Sequence, residues 1–298
     1  MVILDILKFI TSHPLNRHRK CAAVKDFFKW QLSSRLVPGE VIYHWVNDVK
    51  FVVFRGETGM TGNVYCGLYD YEGMGYTLHA LRRDELFIDV GANVGSYTLL
   101  AAGAVGAKAY CFEPIKSTFD RLETNIHLNR LDSRVKCMNV GVGDENKSVR
   151  FTNQTNTINH VLADNENVLS EKTALVTIVS LDKILEAENP ELLKVDVEGY
   201  ETLVLRGAQN LLHKESLNSI IVELAGHGRR YGFDESAIID MLYDLKYRPY
   251  IYDPISRELS LLERKNLKAQ NTIYIKNIDL ARERVSSAPK FICRGIPV

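Results

Sequence analysis

The feature that most constrains this chain is the segment FIDVGANVGSYT at 87–98, where an apolar run ends at Asp89 and glycines follow at positions 91 and 95. Because glycine has no Cβ, Gly91 and Gly95 allow the backbone to turn sharply and to approach a ligand closely. A helix that begins at 96–98 would point its first N–H groups at that ligand. The segment therefore predicts a strand, a ligand-binding turn and a helix in succession.

The spacing of this turn is G-x-N-x-G, with Asn93 in the middle and Ser96 where the G-x-G-x-x-G pattern of dinucleotide sites has its third glycine. That glycine allows tight packing of the helix in pyrophosphate-binding sites. A second apolar run, 107–112, ends at Glu113, 22 residues after Gly91. One strand–helix–strand unit has this length, and it places the carboxylate where it can accept both hydroxyls of a ribose. The two features together predict an adenosine site without a diphosphate.

Several sequence blocks resemble the FkbM-type methyltransferases, a family of S-adenosylmethionine-dependent enzymes of the Rossmann-like class. The resemblance covers roughly residues 63–276, and its most family-specific block is KVDVEGYE. The blocks that carry it are DVGANVGSYT at 89–98, CFEP at 111–114, ETNIHLN at 123–129, NVGVGD at 139–144 and LKVDVEGYE at 193–201. It implies a methyltransferase with S-adenosylmethionine as its cofactor.

The order of apolar and helical segments is typical of a doubly wound sheet. Strands are predicted at 86–90, 108–112, 135–141, 174–181, 192–197 and 219–224. The segments 247–253 and 271–277 lack a helix-length segment between them and predict a closing antiparallel hairpin, which the methyltransferase class has and dehydrogenases lack. The predicted fold class is therefore α/β, a Rossmann-like methyltransferase with a mostly parallel seven-stranded sheet, a closing hairpin and a small N-terminal β-rich and helical segment.

Three parts are predicted along the chain. They are an N-terminal helix and β-rich cap at 1–80, a methyltransferase core at 81–277 and a C-terminal tail at 278–298. Within the core, the segment 152–172 is rich in Asn and Thr and has no convincing period. It predicts a surface loop or an excursion that covers the substrate.

Ligands of an open α/β sheet bind beyond the carboxyl ends of the strands, which ranks the polar residues that follow each strand. The resemblance alone gives Asp144 a role toward the adenine amino group, and the alternative is a turn residue. For Glu113 the alternative is a carboxylate that caps a helix. The candidate cofactor-binding residues are Asp89, Gly91, Asn93, Gly95, Tyr97, Glu113, Val142, Asp144 and Asp196.

Asp196 and Glu198 follow the fourth core strand at positions i and i+2, so both side chains lie on one face if the strand stays extended. Neighbouring carboxylates raise one another's pKa, and they suit a site that holds a sulfonium cation and takes a proton from a hydroxyl. Alternatively, one of them caps the helix near Tyr200, and Lys194 neutralises the pair.

The segment 222–232, VELAGHGRRYG, follows the fifth strand and contains glycines at 226, 228 and 232. This pattern suits a mobile lid over the acceptor, and His227 has an intrinsic pKa that suits a general base. A solvated loop histidine is the alternative. The candidate catalytic residues are therefore Asp196, Glu198 and His227, and no metal is expected because no convincing ligand set follows the fourth and fifth strands.

Composition and charge limit the binding partners and the cellular compartment that we expect for this chain. The 37 basic and 37 acidic residues give zero formal net charge, which argues against nucleic acid. Five separate cysteines indicate a reducing compartment. No apolar run approaches the roughly 20 residues of a membrane span, so a cytoplasmic protein is expected. The apolar positions of 2–10 predict a helix that docks on the domain or on a second subunit, or alternatively one that contacts a membrane surface.

The predicted reaction is in-line methyl transfer from S-adenosylmethionine to a hydroxyl of a sugar or a small metabolite. Alignment of the reacting atoms and exclusion of water contribute most to such a step. N-methylation would leave the same traces in the sequence. Two other classes stay open: a nucleotide-sugar or NAD-binding Rossmann enzyme, and a non-catalytic scaffold that binds the cofactor.

Overall fold

The computed structural model describes residues 3–37, 39–57, 59–153, 159–163, 166 and 172–298. The first part of the chain is mostly helical. Its elements are α1 (Ile3–Ser12), α2 (Lys20–Leu36), β1 (Val41–His44), β2 (Lys50–Val53), α3 (Thr61–Cys66) and α4 (Tyr71–Ala80). The predicted β-rich cap is therefore a single antiparallel β1–β2 pair followed by two helices. Asp70 begins α4 by accepting a hydrogen bond from the Gly73 amide at 3.2 Å.

In the rest of the chain, strands and helices alternate over 86–138 and 173–253, whereas the strands within 135–179, 248–275 and 292–297 follow one another without a described α-helix between them. Its strands are β3 (Leu86–Val90), β4 (Lys108–Phe112), β5 (Val135–Met138), β6 (Gly141–Val142), β7 (Lys147–Thr152), β8 (Thr173–Val179), β9 (Pro190–Val195), β10 (Ser219–Glu223), β11 (Arg248–Asp253), β12 (Glu258–Leu261), β13 (Asn271–Ile275), β14 (Ile292–Cys293) and β15 (Ile296–Pro297). Its α-helices are α5 (Ser96–Leu99), α6 (Lys116–Leu128), α7 (Leu181–Ile184), α8 (Glu201–Arg206), α9 (Gln209–His213), α10 (Glu235–Asp244) and α11 (Ile278–Ser287).

Eight strands form the main sheet, in the order β12-β11-β13-β10-β9-β3-β4-β5. The five strands from β10 to β5 pair in parallel, and β13 lies antiparallel between β10 and β11. This arrangement confirms the predicted Rossmann-like α/β class with its closing hairpin. The count of seven strands is one too low, because β12 adds an antiparallel edge strand to β11.

The predicted core strand at 174–181 is not part of the main sheet. It forms β8, which pairs with β6 and β7 in a separate three-stranded sheet. Val176 and Ile178 are buried, whereas Leu175 and Thr177, which alternate with them, are exposed. Such one-sided alternation is typical of an antiparallel strand with one face in solvent, whereas the five residues of β3 are all buried.

The central strands divide the apolar core into two layers, because successive side chains point to opposite faces of a sheet. Phe87 packs in the layer that includes α1 and α2, and Ile88 packs in the layer that includes α10. The first layer thus joins residues of the predicted cap, core and tail. The division into three parts stays a prediction.

The C-terminal segment connects the first and last parts of the chain. The Arg294 guanidinium, with a side chain only 7% exposed, donates to the Val64 carbonyl at 2.8 Å and forms an ion pair with Asp26. Arg284 pairs with Glu85 at 2.9 Å. Within the described ranges, no helix combines the length and the hydropathy needed to cross a bilayer.

Candidate functional site

A cavity of about 550 Å³ lies beyond the carboxyl ends of β3, β4, β9 and β10. This is where an open α/β sheet binds its ligands. Eight of the predicted site residues line it: Gly91, Asn93, Tyr97, Glu113, Val142, Asp196, Glu198 and His227.

Three predicted residues lie outside the lining. Asp89 is 1% exposed and accepts hydrogen bonds from the Thr98 amide and hydroxyl at 3.1 and 2.7 Å, so it fixes the start of α5 from below. Gly95 precedes α5 with φ of +95°, and a Cβ there would lie 2.7 Å from a methyl carbon of Leu122. Asp144 is exposed, with a carboxylate oxygen 3.9 Å from Lys147 Nζ, and the structure does not bring it to the other residues.

The turn after β3 presses against the end of β9. Gly91 has φ of +78°, and a Cβ on it would lie 1.8 Å from the Asp196 carbonyl oxygen. The amides of Gly91 and Ala92 both donate to the Phe112 carbonyl at 3.0 Å. Any side chain at position 91 would separate the ends of these strands, so the turn requires glycine.

Glu113 lies at the end of β4 and is 7% exposed. Its two carboxylate oxygens accept hydrogen bonds from the amides of Asn93 at 3.1 Å and Ile115 at 2.9 Å. Burial raises the pKa of Glu113 to about 7 in spite of these bonds. Each oxygen can accept one more hydrogen bond, so the carboxylate can bind a pair of ligand hydroxyls.

Lys194 forms a buried charge cluster beneath the cavity. Its side chain is 4% exposed, with Nζ 3.0 Å from Asp196 Oδ2 and 3.9 Å from Asp89 Oδ1. The same ammonium lies 4.9 Å from the centre of the Tyr97 ring. Burial lowers the pKa of Lys194, but the carboxylates of Asp196 and Asp89 outweigh it, and the net shift is upward. The predicted alternative, in which Lys194 neutralises a carboxylate of this strand, agrees with its contact to Asp196.

Asp70 and Asn271 also line the cavity, and the sequence did not identify them. The Tyr97 hydroxyl and the Asn271 amide, the latter at 2.7 Å, both donate to Asp70 Oδ2. Burial raises the pKa of Tyr97 well above its usual value. Residues 70 and 271 are 201 positions apart in the sequence. The only sequence signal at either position is that Asp70 could cap a helix.

A second group of side chains comes from the loops after β9 and β10. His227 Nδ1 lies 3.1 Å from Glu198 Oε2 and 3.9 Å from Glu223 Oε2. Burial, together with the charges of Asp196 and Glu198, raises the pKa of Glu223 to about 10. Burial and Asp196 also raise the pKa of Glu198, and the imidazole opposes this shift. Glu223 is the last residue of β10 and was not among the candidate site residues.

Backbone contact between the two loops brings these groups together. Glu198 and Gly199 have φ of +56° and +108°, and a Cβ on Gly199 would lie 2.7 Å from the His227 carbonyl oxygen. Glu201 Oε1 accepts hydrogen bonds from the amides of Val197 and Gly199 at 3.1 and 3.0 Å. The positive φ at 198 ends the extended strand, so Asp196 and Glu198 do not lie on one strand face.

The predicted excursion at 152–172 lies partly outside the described residues, which exclude 154–158, 164–165 and 167–171. Asn159 lines the cavity, and the Tyr231 hydroxyl donates to the Val161 carbonyl at 2.6 Å. The described part of the excursion therefore contacts the loop that follows β10.

Comparison with known proteins places the sequence among methyltransferases. The profile described as "Methyltransferase FkbM domain" matches residues 89–249. Hexuronic acid methyltransferase AglP of Haloferax volcanii is 28% identical over 172 residues, which cover 57% of this chain and 66% of that protein. Methyltransferase 1 of Beauveria bassiana is 29% identical over 163 residues, or 47% of this chain and 65% of that protein. The matches thus span just under two thirds of these relatives. An rRNA methylase from Streptococcus thermophilus aligns with a TM-score of 0.39 and 11% identity, over 68% of this chain and 91% of that chain.

Proposed function

Because the chain belongs to the family of the methyltransferase FkbM domain, we propose that it transfers a methyl group from S-adenosylmethionine to a hydroxyl of a sugar or another small metabolite. The observation that carries the proposal is the meeting of the Gly91 turn and the Glu113 carboxylate at one cavity. Support for a carbohydrate acceptor comes from the name of one relative, a hexuronic acid methyltransferase.

The residues around the cavity fit S-adenosylmethionine. Glu113 would accept both ribose hydroxyls, and Gly91 keeps the turn against the end of β9, so that the turn can line the cavity. Val142, buried in the lining of the cavity, offers an apolar surface for adenine. Tyr97 and Asn93 line the same cavity, while Asp89 and Gly95 hold the turn in shape. Asp144 is not placed to take part, and its predicted role toward adenine is not included in the proposal.

When bound, the cofactor supplies a sulfonium methyl group whose bond to sulfur breaks as the acceptor oxygen bonds to the carbon. The residues of the chain then need to align the reactants and exclude water. Asp196 lines the cavity, and its carboxylate would stabilise a positively charged sulfonium. Lys194 holds that carboxylate in place from below.

Glu198 and His227 would form the acceptor side. The imidazole Nδ1 lies 3.1 Å from Glu198 Oε2. The hydroxyl proton of the acceptor would pass to this pair as the new C–O bond forms. The contact between Tyr231 and Val161 would help to close the acceptor side against water.

The test is calorimetric titration of the full chain with S-adenosylmethionine, S-adenosylhomocysteine and NAD, together with E113A and the exposed-site control E145A. Loss of two hydrogen bonds to a charged group costs about 3 kcal/mol, or roughly 100-fold in affinity. We expect micromolar binding of the first two ligands, loss of that binding in E113A and no change in E145A. Binding of NAD alone would contradict the proposal, and cofactor binding without turnover of any hydroxylated acceptor would favour the scaffold.

A further inference from the structure

Glu198, Glu223 and His227 converge at one side of the cavity, and each offers one donor atom within 4.8 Å of the other two. We propose that these three side chains bind a divalent metal ion such as Mn²⁺ or Zn²⁺. This departs from the sequence analysis, which expected no metal because no convincing ligand set follows the fourth and fifth strands.

The incomplete hydrogen bonding of the donor atoms supports a metal ion at this position. The Glu223 side chain is 8% exposed, and within the described part of the chain its Oε2 has no hydrogen-bond partner. Nδ1 of His227 faces this oxygen at 3.9 Å and lies 3.1 Å from Glu198 Oε2, without a well-aligned hydrogen bond among the described residues. An unsatisfied buried polar group costs about 1 to 3 kcal/mol. A cation between these atoms would remove that cost for both groups at once.

The distances fit a metal after a small adjustment. Donor atoms about 2.1 Å from an ion, at coordination angles of about 90 to 110°, lie roughly 3.0 to 3.4 Å apart. The 3.1 Å between His227 Nδ1 and Glu198 Oε2 meets this requirement. The 3.9 Å to Glu223 Oε2 exceeds it by about half an ångström, which rotation of the Glu223 side chain can supply.

The donor set and its surroundings select the kind of ion. One imidazole and two carboxylates suit Mn²⁺ or Zn²⁺ better than Ca²⁺ and Mg²⁺, which prefer oxygen ligands only. Asp196 is engaged with Lys194 at 3.0 Å, so three side chains are offered by the protein. Three protein ligands leave coordination positions open, which is the arrangement of a catalytic rather than a structural site.

The ligands are held in place by backbone contacts. The Gly199 backbone touches the His227 carbonyl, and Glu201 binds two amides of the turn that carries Glu198. Such fixed positions reduce the cost of ordering the ligands when the ion binds. The choice of substrate rests on the proposed function. The open coordination positions would take the acceptor oxygen and a neighbouring oxygen, as in a vicinal diol or a hydroxyl beside a carboxylate.

The experiment measures metal binding directly. EDTA-treated and dialysed full chain is titrated with MnCl₂, free Mn²⁺ is followed by electron paramagnetic resonance, and ZnCl₂ is added as a competitor. The variants are E223Q, H227N and E198Q, and each of them changes one of the three proposed metal ligands. The control is H127N, because His127 is exposed and also forms an ion pair with a carboxylate, that of Asp132.

We expect one site per chain that Zn²⁺ competes for, weakened about 10- to 100-fold or more in the three variants and unchanged in H127N. Absence of Mn²⁺ and Zn²⁺ binding, or binding in E198Q and E223Q as tight as in the wild type, would overturn the inference. Calorimetric titration of the same samples with S-adenosylmethionine separates the two proposals. Cofactor binding without metal binding refutes only the metal site, and metal binding without cofactor binding refutes only the proposed function.

Discussion

Replacement of Gly91 by alanine tests the contact between the turn after β3 and the end of β9. The new Cβ would lie 1.8 Å from the Asp196 carbonyl oxygen, whereas unbonded carbon and oxygen atoms stay about 3.3 Å apart. The two strand ends must therefore separate by about 1.5 Å, the difference between those two distances. Overpacking of this kind costs about 1 to 3 kcal/mol. The left-handed φ of +78° adds about 1 kcal/mol for a residue with a Cβ.

Gly232 provides a matched control. Its φ is +77°, almost that of Gly91, but a Cβ there would have nothing within 4 Å. G232A therefore carries the backbone strain without the steric overlap. For 298 residues, the entropy of unfolding is about 0.6 kcal/mol/K, so each kcal/mol lowers Tm by roughly 1.6 °C.

Differential scanning calorimetry should thus show Tm lower by about 2 °C in G232A and by about 3 to 6 °C in G91A. Calorimetric titration should show that G91A loses binding of S-adenosylmethionine, because the displaced strand end carries Asp196. Equal Tm values for the two variants would refute the reasoning, since the overlap with the Asp196 carbonyl would then cost nothing.

Two further predictions concern buried charges. Since burial raises the pKa of Glu113 to about 7 from 4.5 in the unfolded chain, its contribution to stability is complete below pH 4.5 and is lost as pH rises to 7. The free energy of unfolding of the wild type minus that of E113Q, measured by denaturation, should therefore fall by about 3 kcal/mol over that window. The affinity for S-adenosylmethionine should rise through pH 7. A pH-independent difference in the free energy of unfolding would contradict the assignment. K194M removes the cation from the buried Asp89 and the partly exposed Asp196, so urea denaturation should show a loss of about 3 to 5 kcal/mol, against at most about 1 kcal/mol for K147M at a more exposed ion pair. Equal losses in the two lysine variants would show that Lys194 does not neutralise the cluster.

The sequence was sufficient for features that depend on a single strand and the turn after it. Gly91, Asn93 and Glu113 follow apolar runs directly, and their meeting at one sheet edge follows from parallel pairing. The order of elements likewise predicted the fold class. These inferences need only local pattern and the general rules of α/β sheets.

Features that depend on contact between distant loops were not accessible in the same way. Glu223 faces Glu198 and His227 because the Gly199 backbone touches the loop after β10, and no local pattern reports that contact. Asp70 meets Asn271 across 201 positions. The alternation of buried and exposed residues in β8 was a readable sign of a one-sided strand, but its apolar content led to a place in the main sheet.

The contact between Arg294 and the Val64 carbonyl joins positions 230 residues apart. During synthesis at about 5 to 20 residues per second, roughly 10 to 50 s separate the appearance of the two partners at the ribosome. Phe27 and Cys66 belong to the same apolar layer as Phe291 and Cys293, so that layer cannot close until residues 291–293 have been synthesised. Until then, the early helices keep part of their apolar surface uncovered.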